Sequence, residues 1–229
     1  MDLFTIALII GGYFLAKKLF GGQPSATTTE ASNTIAPPNK VITLIGTTGA
    51  GKSTTANALL GYDAFAIGAG HGTTIDITYK VYQHGYYLQD TPGIMDKDGT
   101  YIPTIMSALQ DSELAIYVAT NQLYRQEIEF LERLHIKQKF WNQKSSTPGL
   151  RELAFFVNKS DIRNQTMDST AREREINEIK RQISDWIPQD KIVIGASSPF
   201  LNSIKHPPQI NDLRALVSKH IQSKGSSTG

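Results

Sequence analysis

The chain of 229 residues contains no cysteine. That excludes disulfides, thiolate metal sites, thiol nucleophiles and any palmitoyl or lipoprotein anchor. Long runs of one charge are absent too: 23 Lys and Arg stand against 21 Asp and Glu, a formal net charge of +2. Nothing in that balance supports a basic face, so no nucleic-acid partner is expected. No internal repeat is visible. The length suggests one domain with attachments and is ample for a sizeable core.

What is present begins with one long apolar stretch, Leu3 to Ala16, followed by Lys17-Lys18, Leu19 and Phe20. The strict apolar core of 14 residues is short for a spanning helix. Counted to Phe20 with both lysines snorkelling, it makes a helix on the order of 27 Å against a bilayer core of about 30 Å. The positive n-region of a signal peptide is missing. So is the charged face of a helix lying on the membrane surface. Residues 1–20 therefore read as an N-terminal hydrophobic anchor helix, and the lysines behind it place the rest of the chain on the cytoplasmic side. The alternative is a hydrophobic helix packed on the domain or on a partner, with a cytoplasmic location. Residues 21–39, rich in Ser, Thr, Ala and Pro, read as a flexible linker.

From residue 40 to 222 strands and helices alternate, which predicts an α/β domain with a mostly parallel central sheet and helices on both faces. Strands are expected at 41–45, 75–82, 86–89, 114–119, 153–157 and 192–194. Helices are expected at 54–60, 101–110, 123–136, 169–187 and 210–221, with a polar excursion over 137–147 and a loose tail over 223–229. His84-Gly85 is a hairpin signal. The charged run 172–181 reads as a solvated helix face. Trp141, within the polar excursion, reads either as an exposed contact or as core.

Gly46-Thr47-Thr48-Gly49-Ala50-Gly51-Lys52-Ser53 fits the phosphate-binding pattern G-x-x-x-x-G-K-[ST]. It stands where that pattern requires, between a β-branched strand and a helix that Gly61 is placed to stop. Glycines let the backbone turn its amides inward around an anion, and the helix adds its N-terminal dipole. Lys52 should reach the β- and γ-phosphates, and the Ser53 hydroxyl should bind Mg²⁺.

Four further stretches follow in order: Gly72-Thr73-Thr74, Asp90-Thr91-Pro92-Gly93, Asn158-Lys159-Ser160-Asp161 and Gly195-Ala196-Ser197. With the first loop they resemble the five motifs of the Ras-like P-loop GTPase superfamily, closest to its Era/TrmE-type and septin/AIG-type branch. The resemblance implies a three-layer P-loop NTPase fold, a G domain, binding GTP or GDP with Mg²⁺. Gly46, Thr47, Gly49, Ala50, Gly51, Lys52, Ser53 and Thr54 would hold the phosphates. Asp90 would hold Mg²⁺ through a water, the Gly93 amide would meet the γ-phosphate, and either Thr73 or Thr74 would add a hydroxyl to the metal. Lys52, Thr74 and Gly93 would form the catalytic set. Asp161 would accept two hydrogen bonds from guanine, Lys159 would lie along the ring, and Asn158 would brace the loop. The Ala196 amide would face guanine O6, with Ser197 beside it.

The same resemblance implies slow GTP hydrolysis. Ras-type enzymes place a glutamine after D-x-x-G, where this chain has Ile94. The TrmE-type asparagine that helps bind potassium falls at Gly49. No arginine occurs over 62–76, which argues against an arginine finger from the first switch loop. His71 lies in that loop, as a solvated residue or a phosphate contact. The expected function is a membrane-tethered GTPase switch, sped up by a homodimer or another partner. The alternative is a GTP-dependent assembly or scaffold protein with negligible hydrolysis.

Overall fold

A computed structural model describes residues 40–67, 77–95, 100–143, 149–201 and 204–225. In chain order these form β1 (Val41–Ile45), α1 (Lys52–Leu60), β2 (Thr78–Val81), β3 (Tyr87–Asp90), α2 (Ile102–Gln110), β4 (Leu114–Ala119) and α3 (Arg125–Gln143). Then come β5 (Glu152–Val157), α4 (Ser160–Thr166), α5 (Ser169–Ile183), β6 (Ile192–Ile194), a short hairpin of β7 (Phe200–Leu201) and β8 (Ile204–Lys205), and α6 (Asn211–Gly225). The main sheet has the order β2-β3-β1-β4-β5-β6. β2 pairs antiparallel with β3, and every other pairing is parallel.

The period of two along each strand sorts the core into two layers. Ile42, Leu44, Leu114, Ile116, Val118, Ala154 and Phe156 face Ala56 and Leu59 of α1 and Leu213, Val217 and Ile221 of α6. Ile45, Tyr117, Leu153, Phe155 and Val157 face Ile105 and Leu109 of α2, Leu131 and Leu134 of α3, and Ile179 and Ile183 of α5. Tyr117 and Phe155 stack across β4 and β5 with ring centroids 5.2 Å apart. This is the three-layer α/β arrangement the strand and helix pattern predicts. Every residue of β1 is buried, as a strand covered on both faces requires.

Local chemistry sets the element ends. Gly61 caps α1 in the left-handed conformation and donates its N–H to the Asn57 carbonyl. The Asp168 carboxylate accepts the Ala171 N–H at 2.7 Å and starts α5. His84-Gly85 turns the β2–β3 hairpin, both residues having positive φ.

Three expectations about extent are revised. α3 does not stop at 136 but runs to Gln143, through the segment expected to be a polar excursion. Trp141 there is buried, and Gly149 lies so close to its ring that any side chain would strike it. α6 continues to Gly225, three residues into the expected tail. The edge strand is shorter than expected and starts at Thr78.

The expected single-pass anchor is also corrected. No helix among the described residues is long and apolar enough to cross a membrane. The segment on which that expectation rested, residues 1–20, lies outside the described residues, as does the linker 21–39. The membrane-tethered reading is set aside on that ground.

Candidate nucleotide-binding site

The parallel strands all end on one edge of the sheet. β1 lies at the point where the strand order turns, with β3 on one side and β4 on the other. In open α/β sheets the crevice at such a point receives ligands. The loops leaving β1, β3, β5 and β6 converge there.

Gly51 closes the phosphate loop at φ 93 and leads into α1. A Cβ there would lie 2.5 Å from the Asn158 amide nitrogen, so the loop and Asn158 fit only because position 51 has no side chain. Asn158, 2% exposed, is the hub of the site. Its Nδ2 donates to the Ala50 carbonyl at 2.9 Å. Its Oδ1 accepts from the Lys159 N–H at 2.8 Å, the Ser197 N–H at 3.0 Å and the Ser197 hydroxyl at 3.1 Å. One buried amide therefore joins the loops after β1, β5 and β6. The Lys159 ammonium adds a second link, donating to the Gly49 carbonyl at 3.1 Å.

The phosphate-facing groups gather beside this hub. Lys52 is buried, and its Nζ donates to the Thr47 carbonyl at 3.1 Å, curled back over its own loop. The Ser53 hydroxyl donates to Asp90 Oδ2 at 2.6 Å. A hydroxyl and a carboxylate so close are oxygen donors of the type a hard divalent cation takes. The Ile94 N–H donates to the Gly46 carbonyl at 3.2 Å, tying the segment after β3 to the phosphate loop. Gly93 lies flat against Thr48, where any Cβ would collide with the threonine.

A pocket of about 230 Å³ opens between the phosphate loop and the loops after β5 and β6. Gly51, Thr54, Asn158, Lys159, Asp161 and Ser197 line it, all of them expected. Ile162, Gln165, Thr166 and Ser198 line it too and carry no recognisable motif. The Ala196 amide was expected to face guanine O6. It donates to the Gln209 carbonyl at 3.1 Å in a two-way bridge, and Ala196 is fully buried. Thr73, Thr74 and His71 lie outside the described residues.

Three further residues shape the site. The Thr48 hydroxyl is buried beside Gly93 with no hydrogen-bond partner among the described residues. Asn57, buried inside α1, holds the following loop through both ends of its amide, accepting from the Ala64 and Phe65 N–H groups and donating to the Phe65 carbonyl. Asparagine is a poor helix former, and that was the only sequence signal available for it. Arg163 sits buried under the loop after β5, its guanidinium donating to the Thr120 and Asn158 carbonyls. Burial pushes its pKa down, against the attraction of the Glu175 and Asp161 carboxylates.

Residues 41–147 match the sequence model of a family described as 50S ribosome-binding GTPase. Over those residues the chain is similar to Ras-like P-loop GTPase domains of the Era/TrmE type. Among solved structures, it is similar to Aquifex aeolicus Era bound to GDP and AlF4⁻, at 18% identity and a TM-score of 0.53, over 80% of this chain and 56% of that one. It is similar to Era in complex with MgGDPNP and nucleotides 1506–1542 of 16S ribosomal RNA, at 18% identity and a TM-score of 0.50, over 80% and 55%. It is also similar to Arabidopsis thaliana Toc33 with Mg²⁺ and GMPPNP, at 13% identity and a TM-score of 0.52, over 81% and 86%. The chain thus spans about half the length of the Era chains it matches. No curated protein matches its sequence.

GTP phosphohydrolase activity is typical of this GTPase family. The family description and the Era complex also correct the expectation of no nucleic-acid partner. A near-balanced charge does not exclude RNA for a GTPase domain whose relative is solved with RNA bound.

Proposed function

We propose that this GTPase domain works as a GTP-dependent assembly module: it binds GTP with Mg²⁺, hydrolyses it slowly, and acts through what the long-lived triphosphate form associates with. The carrying observation is the position of Ile94. It is 5% exposed and packs in the core with Ile45 and Ile105. The position that orients the attacking water in Ras-type enzymes therefore faces away from the nucleotide.

Lys52 and the loop amides would neutralise and orient the phosphates, and Ser53 and Asp90 would hold Mg²⁺, whose charge stabilises the β- and γ-oxygens. Gly93 and one of Thr73 and Thr74 would answer the γ-phosphate. Asp161 would read guanine by two parallel hydrogen bonds that adenine cannot supply. Ser197 would lie beside the base. RNA is the first partner class to examine, because Era is solved with ribosomal RNA bound.

The test is phosphate release measured across a range of protein concentration, beside sedimentation in GDP and in a non-hydrolysable GTP analogue. Turnover of about 10⁻⁴–10⁻² s⁻¹, flat with concentration, together with association in the analogue alone, is the expected result. Several turnovers per second from a dilute monomer would overturn the reading.

A further inference from the structure

We infer that Arg163 is a positioning residue for base recognition: its buried guanidinium holds the loop that carries Asp161 in the one conformation that can read guanine. This rests on the assignment of Asp161 to guanine made above.

The argument starts from strain. Lys159 has φ 58 and ψ 36, a left-handed conformation in a residue with a side chain. Such conformations cost on the order of 1–3 kcal/mol and persist only where the surroundings over-determine them. Lys159 lies two residues before Asp161, so a change there re-aims the carboxylate. From above, the Asn158 side chain fixes the Lys159 and Ser197 amides. From below, one nitrogen of Arg163 donates to the Asn158 main-chain carbonyl, immediately before the strained residue, and reaches the Val157 carbonyl at 3.5 Å. The other donates to the Thr120 carbonyl, just past β4. The base-reading loop is thereby pinned to the ends of two central strands.

The chemistry is specific to arginine. Arg163 is 4% exposed. A buried charge is costly unless its protons find acceptors. The acceptors of its two terminal nitrogens are main-chain carbonyls, so these hydrogen bonds are spent on backbone position rather than on a carboxylate partner. A planar fork can meet carbonyls from two strands at once, whereas a lysine ammonium is a point donor on a flexible stem. A misplacement of about 1 Å at a reading group can cost on the order of 100-fold.

The experiment compares Arg163→Met and Arg163→Lys with the natural chain, measuring dissociation constants for GDP, IDP and inorganic tripolyphosphate. IDP lacks only the 2-amino group, so the GDP-to-IDP ratio reports the second Asp161 bond. Tripolyphosphate reports the phosphate loop alone. The expected result is that both variants keep tripolyphosphate affinity while GDP weakens by about tenfold or more and the GDP-to-IDP ratio falls toward one. If Arg163→Met fails to bind tripolyphosphate because it does not fold, Arg163→Lys decides. An unchanged ratio in a variant that still binds tripolyphosphate overturns the proposal. Asp161→Asn, measured with GDP and XDP in parallel, separates the two readings. A shift toward XDP there with an unchanged ratio in the Arg163 variants sinks only the positioning role. No shift toward XDP removes the guanine assignment beneath it.

Discussion

The two ends of the sheet treat buried polar groups in opposite ways. At the carboxyl ends of the strands, Asn158, Lys52 and Arg163 donate hydrogen bonds to backbone carbonyls of the loops around the site. At the amino ends the charges answer one another. His220 of α6, 2% exposed, has Nδ1 at 2.6 Å from Glu152 and Nε2 at 3.8 Å from Glu113. The Tyr86 hydroxyl donates to Glu113 at 2.8 Å, and Lys191 pairs with Glu152. Lys40 lies over the Tyr86 ring at 5.5 Å. One end shapes loops around a charge still to arrive; the other neutralises its charges internally and fastens α6 to β4 and β5. Binding and stability should therefore separate by mutation.

The largest effect is expected at the hub. Asn158→Ala removes a group that makes four hydrogen bonds joining three loops. At roughly 1 kcal/mol for each of two or three bonds that matter, nucleotide affinity should fall about 100-fold, read by titration calorimetry. A loss confined to thermal stability, with affinity kept, would break the contrast between the ends.

His220→Gln should do the reverse, lowering unfolding free energy by about 3 kcal/mol because it removes the cation that lies between two carboxylates. The GDP-to-IDP ratio should stay where it was. Urea unfolding and the same nucleotide titrations check both halves.

Ile94→Gln comes next. From the sequence it looks like the restoration of a catalytic glutamine. In the structure the side chain enters the core beside Ile45 and Ile105. The expected outcome is a loss of about 2 kcal/mol in stability and no gain in phosphate release. A gain of tenfold or more would show that position 94 faces the nucleotide.

The smallest effect is a pH dependence belonging to the amino-terminal end alone. Burial pushes His220 down, but the Glu113 and Glu152 carboxylates outweigh it, and the net direction is upward from 6.5. Its contribution is full below 6.5 and fades as pH rises through the raised value. Hydrogen bonding to His220 holds Glu152 at about 2 against an ordinary 4.5, with Lys191 adding to the shift. That contribution is present above 4.5 and is lost as pH falls toward 2. Stability should therefore peak between 4.5 and 6.5 in the natural chain. The His220→Gln variant should show a flatter profile in the same unfolding series.

The same division explains what could be read in advance. β1, the phosphate loop and α1 were legible because a β-branched run, a glycine pattern and a helix follow one another within twenty residues of chain. Each signal there is local. The extent of α3 was not legible, because a polar run gives no sign that Trp141 will be buried against Gly149. The bond from the Ala196 amide to Gln209 was not legible, because that partner arrives from a later loop. The His220 cluster draws Tyr86, Glu113, Glu152 and Lys191 from four separate places and has no motif at all. Arg163 is the intermediate case: it stands two residues after a motif, yet its role depends on carbonyls of Thr120 and Asn158 that only the fold brings beneath it.

The measurement that bears most directly on the guanine site is titration of the natural chain and Asp161→Asn with GDP and XDP. The natural chain should prefer GDP, by a margin on the order of 10³ or more, and the variant should prefer XDP while keeping its tripolyphosphate affinity. Equal GDP affinity in the two proteins would contradict the assignment of Asp161 to the base, and with it the reading of this pocket as a guanine-nucleotide site.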